Sequence, residues 1–228
     1  MQRVVHMELN GTKAKIKRTA FVLLTKVGFQ KITYKLIADQ SGVDRALVQY
    51  YFPKKDNIAL DFWRFLLDIS GQFVKQRPET TEFKQSRSVW VNALAYSYLL
   101  STPELRNLTL ELIESRRITD GFADLITAAS IDFLNINADD EKYDLLVKRN
   151  RIVIGQTMND LYHALATGER ISGTDISINY ARSFWSDVNF TESQAARMIS
   201  ECIVPEAVLE DGLTFLNQEF ASFERSNQ

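Results

Sequence analysis

Three side chains that can hydrogen-bond to the edges of DNA bases lie on the exposed face of one short predicted helix. They are Arg45, Gln49 and Tyr50. Arginine can make two parallel hydrogen bonds to guanine, and glutamine can do the same with adenine. These residue types therefore predict the reading of base edges in the major groove of duplex DNA.

Residues that can contact phosphate groups flank this predicted helix. The lysines Lys35, Lys54 and Lys55 can neutralise phosphates, and the hydroxyl groups of Thr33 and Tyr51 can reach them. Contacts of this kind position a protein on the duplex, whereas base contacts supply the sequence preference. Both sets together predict one DNA-binding surface between residues 33 and 55.

Two short predicted helices, joined by a tight turn, carry most of these side chains. Thr33 is expected to cap the first helix, Ser41-Gly42 to end it, and Asp44 to cap the second helix. Apolar residues on both helices can hold the pair together: Leu36, Ile37, Val43 and Val48. This is the pattern of a helix-turn-helix, in which the first helix supports the second in the major groove.

Two further helices are predicted around this pair. An amphipathic helix precedes it, and Gly28 is expected to end that helix in a left-handed conformation. Pro53 is expected in the first turn of a long following helix. One face of that long helix is apolar and carries Ile58, Phe62, Phe65, Ile69 and Phe73.

Residues 13–63 resemble the DNA-binding region of the TetR family of bacterial transcriptional regulators. The resemblance rests on a set of residues at the family's spacing: Gly28-Phe29, Thr33, Ile37-Ala38, Gly42-Val43, Tyr50-Tyr51-Phe52, Lys55-Asp56 and Ile58. It implies a three-helix DNA-binding domain, a fourth helix that links it to the body, and a homodimer. It also implies that an effector bound in the C-terminal domain alters the affinity for DNA.

By position, the resemblance implies roles for ten residues. The start of the supporting helix would lie at the DNA, the recognition helix would be lined by six residues, and a lysine would hold a phosphate at the start of the fourth helix: Thr33, Tyr34, Lys35; Arg45, Ala46, Leu47, Gln49, Tyr50, Tyr51; and Lys55. Four positions depart from the family's usual residues, namely Asp44, Leu47, Gln49 and Tyr51. Because such positions choose bases, the resemblance does not predict the operator sequence.

The distribution of charge supports a polyanion partner for the N-terminal part. Residues 1–64 carry 12 basic and five acidic residues, whereas the remainder carries 15 basic and 24 acidic residues. A basic segment on an acidic body is typical of a chain in which one part meets nucleic acid. The predicted domains are therefore 1–55, which binds DNA, and 56–228, a larger helical domain for effector binding and dimerisation.

Beyond the fourth helix, periodicity predicts helices at about 86–101, 103–118, 120–135, 139–167 and 175–187, and a last helix from Pro205. The long helix and the last helix each carry an apolar stripe: Val147, Ile154, Met158, Leu161 and Leu165; and Leu209, Leu213, Leu216, Phe220 and Phe223. Either stripe could be satisfied inside one subunit, but two such stripes late in the chain suggest surplus apolar surface. We therefore expect them to form a four-helix interface between two subunits.

Several classes of protein are disfavoured by the sequence. The single cysteine, Cys202, excludes an internal disulfide, and no stretch is long and apolar enough for a membrane span. The N-terminus has no apolar core behind its charges, as a signal peptide would have, so a cytoplasmic protein with no membrane contact is expected. His6 and His163 have no partner at metal-ligand spacing, and His163 is expected on the apolar side of its helix. Glu111 and Glu114 are expected to be surface acids. These patterns favour neither catalysis nor a metal or cofactor.

The sequence therefore predicts an all-α fold with an N-terminal helix-turn-helix domain and a helical body. The predicted function is that of a homodimeric repressor that binds operator DNA and is released by a small-molecule effector. Aromatic residues of the body are numerous enough to line a pocket for an uncharged or cationic, largely apolar effector. The alternatives are an all-α enzyme and a helical protein–protein adaptor whose basic N-terminus is incidental.

Overall fold

The computed structural model of the chain describes residues 11–77, 84–134, 141–185, 200 and 203–225. Its described part contains ten α-helices and no strand, which confirms the prediction of an all-α fold. In chain order the helices are α1 (Thr12–Val27), α2 (Tyr34–Ser41), α3 (Arg45–Tyr51), α4 (Asp56–Lys75), α5 (Lys84–Leu99), α6 (Pro103–Ile113), α7 (Arg116–Leu134), α8 (Glu141–Thr167), α9 (Gly173–Trp185) and α10 (Glu206–Arg225).

The first three helices form one packed group. α1 packs against α2, and α2 packs against α3. Thr33 caps α2 as predicted, because its hydroxyl oxygen accepts a hydrogen bond of 3.1 Å from the Leu36 N–H. Gly42 ends α2 with φ 64° and ψ 37°, a left-handed conformation that glycine adopts without steric cost. This turn directs the chain immediately into α3.

Helix α4 connects this group to the body of the protein. Its five predicted apolar residues are all buried, and Phe62 packs edge to face on Phe21 of α1 with 5.7 Å between ring centroids. Phe220 of α10 lies 5.8 Å from Phe62. α4 also packs against α5 and α7. The apolar core is therefore continuous from α1 to α10, and the boundary at residue 55 stays a prediction.

Four local details differ from the sequence prediction. Pro53 lies three residues before α4, outside its first turn, because the helix begins only at Asp56. Gly28 has a positive φ of 84°, but its ψ of 169° lies outside the left-handed helical region. Asp44 stands at the N-cap of α3 without a side-chain capping bond.

The fourth difference is the break between α6 and α7, which was predicted just after residue 118 and lies before Arg116. The Ser115 carbonyl accepts hydrogen bonds from the Ile118 and Thr119 N–H groups and so begins α7. Thr191 and Gln194 have the spacing of a capping box in the sequence, but this predicted helix start lies outside the described residues.

The two late apolar stripes are largely satisfied inside one subunit, so the premise of surplus surface is wrong. Leu216, Phe220 and Phe223 of α10 are buried in the core, and Leu209 and Leu213 pack against it. In the stripe of α8, Ile154, Met158 and Leu161 are buried and Leu165 packs against the core. α10 packs on α1, α4 and α5, while α8 packs on α6, α7 and α9. Periodicity correctly predicted the buried faces but not what covers them.

None of the helices in the described part of the chain is long and apolar enough to cross a bilayer.

Candidate nucleic-acid interface

An open groove of about 480 Å³ lies where the first turns of α2, α3 and α4 converge. Its walls include five of the ten residues that the sequence singles out: Thr33, Tyr34, Lys35, Arg45 and Lys55. Ile32 and Ile58, both buried, form its apolar floor. The five predicted residues, which lie up to 22 positions apart from Thr33 to Lys55, are therefore brought to one surface, and three of them are cationic.

Helix α3 presents a polar face beside this groove. Arg45, Ala46, Gln49 and Tyr50 are exposed, and the Tyr50 side chain is 75% exposed although it is large and aromatic. On the opposite side, Val48 is fully buried and fixes the helix to the core. A short helix held by one buried side and exposed on the other is suited to enter a major groove.

Two predicted members of the recognition helix are less available than the others. Leu47 and Tyr51 are half-buried and pack against the core. The Tyr51 ring also meets the Tyr50 ring edge to face at 5.3 Å, and Lys13 of α1 lies 5.8 Å from the centre of the Tyr51 ring. These contacts orient Tyr50 and extend the cationic surface from α3 towards the first turn of α1.

At the other edge of the groove, Lys55 is held by two contacts with the turn between α1 and α2. Its Nζ donates a 3.1 Å hydrogen bond to the Gln30 carbonyl oxygen and lies 4.7 Å from the centre of the Phe29 ring. Burial lowers the pKa of Lys55, while the carboxylates of Glu111 and Asp56 oppose this shift. The lysine is thus positioned before any ligand arrives.

The phenol of Tyr34 stays protonated at neutral pH. Burial, followed by the negative charge of Asp56, raises the pKa of Tyr34 above its ordinary value. A protonated phenol can donate a hydrogen bond to a phosphate oxygen. Thr33 already uses its hydroxyl oxygen as the cap acceptor, which leaves its hydroxyl hydrogen as a donor.

Acidic residues near the surface are partly neutralised by neighbouring cations. Asp61 of α4 forms ion pairs with Lys17 and Arg64. Asp56 lies 3.8 Å from a guanidinium nitrogen of Arg117. Exposed lysines at 31, 35 and 54 add positive charge around the groove. The residues that line the groove include three cations and no acid, which favours an anion there, and the exposed Asp39 and Asp44 lie on α2 and at the start of α3 outside this lining.

The sequence did not predict that Phe29, Gln30 and Glu111 support Lys55. Glu111 was expected to be a surface acid, but its Oε2 accepts a 2.9 Å hydrogen bond from the Gln30 N–H. The two residues are 81 positions apart, so no local pattern could reveal the contact. The position of His163 was also wrong, because its side chain is exposed beside Tyr162 rather than on the buried side of α8.

In the body, three aromatic residues that could have lined an effector pocket pack on one another. Trp63 meets the rings of Tyr96 and Phe122 at 5.9 and 4.5 Å, and the adjoining cavity measures about 10 Å³. That space suits at most one water molecule. A drug-sized ligand needs about 300 Å³ or more, so binding there would require these rings to separate. Within the described residues, no three side chains of the histidine, cysteine, aspartate or glutamate types converge as metal ligands.

Comparison of the chain with protein-family models gives no match. Comparison with curated proteins likewise gives no significant match.

Proposed function

We propose that this protein is a sequence-specific DNA-binding transcriptional regulator, a homodimeric repressor released by a small-molecule effector. In this proposal α2 and α3 form a helix-turn-helix, and the helices that follow form the effector-binding and dimerisation body. The observation that carries the proposal is the exposed polar face of α3 beside a groove with three cationic side chains. The resemblance of residues 13–63 to TetR-family regulators supports the same function.

Each part of the surface has a distinct role in this proposal. Arg45 and Gln49 read base edges in the major groove, and Tyr50 contacts the bases or sugar beside them. Lys35, Lys55 and the Tyr34 hydroxyl bind phosphates and set the register of α3 on the duplex. α2 supports α3 through its packing on α1. The effector acts by preferring an arrangement of the two heads that does not fit the operator.

The proposal needs two copies of the chain, because one seven-residue recognition helix makes few base contacts. In a dimer, two recognition helices enter successive major grooves about 34–36 Å apart for half-sites one turn apart. The exposed side of α8 offers a surface for the second copy. Leu145 and Ile152 are 67% and 70% exposed and lie two turns apart on one side of the helix. Apolar residues exposed at this spacing favour pairing across a two-fold axis.

We expect the double substitution Leu145→Glu and Ile152→Glu to make the protein monomeric while it stays folded. Both residues are exposed in a single chain, so each charge should change its free energy of unfolding by no more than about 0.5 kcal/mol, but in a dimer the charges would be buried without partners. The dimer dissociation constant should rise by roughly tenfold or more. Sedimentation measures the dimer dissociation constant, and circular dichroism shows whether the variant is folded. Asn107→Glu on the exposed side of α6 is the control. A dimer that persists unchanged in the variant would place the interface elsewhere.

We expect Lys55→Ala to weaken binding by a similar factor on every DNA sequence. A phosphate contact carries no sequence information, and its loss should reduce the slope of log affinity against log salt by about one. Lys75→Ala removes the same charge from the opposite end of α4 and should leave both quantities unchanged.

Fluorescence anisotropy with labelled duplexes at several salt concentrations measures this effect. If the basic surface were incidental, as in the enzyme and adaptor alternatives, the wild-type protein would show no specific, salt-dependent binding. If Lys55→Ala instead changed the preference among sequences, its assignment to a phosphate would be wrong.

A further inference from the structure

A carboxylate of the body reaches into the turn between α1 and α2. Glu111, near the end of α6, accepts a 2.9 Å hydrogen bond from the Gln30 N–H through its Oε2. The approach depends on the absence of a side chain at Gly28, where an added Cβ would lie only 2.8 Å from that oxygen. The carboxylate therefore occupies a niche formed by the turn itself.

The other backbone polar group of Gln30 points to the DNA-facing groove. The Gln30 carbonyl oxygen accepts the 3.1 Å hydrogen bond from Lys55 Nζ, and Phe29 supplies the ring against which the ammonium group lies. Glu111, Gln30 and Lys55 thus form a continuous chain of hydrogen bonds, here called the Glu111–Gln30–Lys55 chain. It joins a helix of the body to a cation on the proposed interface.

We propose that Glu111 is a positioning residue, which holds the α1–α2 turn so that Lys55 is oriented to bind a DNA phosphate. α6 also packs on α1, so the carboxylate adds a directional contact to an existing apolar one. The role in DNA binding rests on the function proposed above. The structural part, that Glu111 fixes Gln30 and through it Lys55, stands on the contacts alone.

The negative charge of Glu111 and its hydrogen bond to Gln30 have opposite effects on DNA binding, and these two effects have to be measured separately. A carboxylate near a phosphate-binding lysine repels DNA, so removal of the charge strengthens binding while removal of the bond weakens it. Glu111→Gln removes the charge but keeps an oxygen that can accept from Gln30. Glu111→Ala removes both, and the difference between these two variants isolates the hydrogen bond at equal charge.

The first test needs no DNA. In Glu111→Ala the Gln30 amide should exchange its hydrogen roughly two- to tenfold faster, the change expected for loss of one hydrogen bond. The ε-methylene protons of Lys55, shifted by the Phe29 ring, should move towards their values in an unstructured peptide. Glu111→Gln should retain both signals, as should the control Glu114→Ala, which alters an exposed acid just after the same helix. Unchanged exchange and unchanged Lys55 shifts in Glu111→Ala would overturn the positioning role.

The second test measures DNA affinity in a double-mutant cycle. Glu111→Ala should bind operator roughly two- to tenfold more weakly than Glu111→Gln when Lys55 is present. The two should bind equally well when each is combined with Lys55→Ala. An equal ratio in both backgrounds would show that Glu111 acts on binding without Lys55 and would overturn the proposal. If the wild type itself bound no DNA specifically, the proposed function would fail, while the exchange experiment would still decide the positioning role.

Discussion

Replacement of Arg45 and Gln49 together by alanine should abolish most of the preference of the protein for its operator over random DNA. Both side chains are exposed on the same face of α3, and each good bidentate contact to a base contributes about 1–3 kcal/mol of discrimination. The double variant should therefore lose about 30-fold or more of the specificity ratio. Binding to random DNA should fall less, because the lysine contacts to phosphates remain.

The measurement is a pair of titrations, one with operator DNA and one with a random duplex of equal length, at the same salt concentration. Gln40→Ala is a matched control, since Gln40 is an exposed glutamine near the C-terminal end of α2 rather than on α3. A loss of equal size on both duplexes would contradict the assignment of Arg45 and Gln49 to bases.

A second large effect is expected from Leu216→Glu in the last helix. Leu216 is 0% exposed within a single subunit, where α10 packs on α1, α4 and α5. An unpaired carboxylate buried at that position should cost several kcal/mol, a large share of the 5–15 kcal/mol that stabilises a typical domain. We expect a protein that is largely unfolded, and a loss of about 2–5 kcal/mol for the milder Leu216→Ala.

Urea unfolding followed by circular dichroism measures these losses. Gln218→Glu adds the same charge two residues later on the exposed side of α10, and it should leave the free energy of unfolding within about 0.5 kcal/mol of wild type. If the Leu216→Glu protein remained folded and stable but became monomeric, Leu216 would lie in the subunit interface that the sequence predicts.

The N-terminal helices could be predicted from sequence because their signals are local. The Thr33 cap, the turn at Gly42 and the buried side of α4 each depend on residues within a few positions of one another. The start of α4 was placed too early because a proline at 53 is compatible both with the first turn of a helix and with the bend and turn over residues 53–55 that precede Asp56. Such ambiguities are settled by packing rather than by propensity.

The partners of each helix could not be predicted in the same way. An apolar stripe predicts that one side of a helix is buried, but the stripe of α10 reads the same whether another subunit or α1, α4 and α5 cover it. The contact between Glu111 and Gln30 joins residues 81 positions apart and has no periodic signature. His163 has both polar and apolar neighbours in the sequence, so the local pattern does not decide which way its side chain faces. The packing of α8 on α6, α7 and α9 decides it.

Selection from a random pool of duplexes with the purified wild-type protein decides whether the exposed face of α3 reads DNA sequence, as we propose. After several rounds we expect enrichment of two inverted half-sites. Their affinity for the protein should fall steeply with salt, and enrichment should be lost in the variant that lacks Arg45 and Gln49. If a folded protein at low salt enriched no sequence from the pool, α3 would not be a recognition helix.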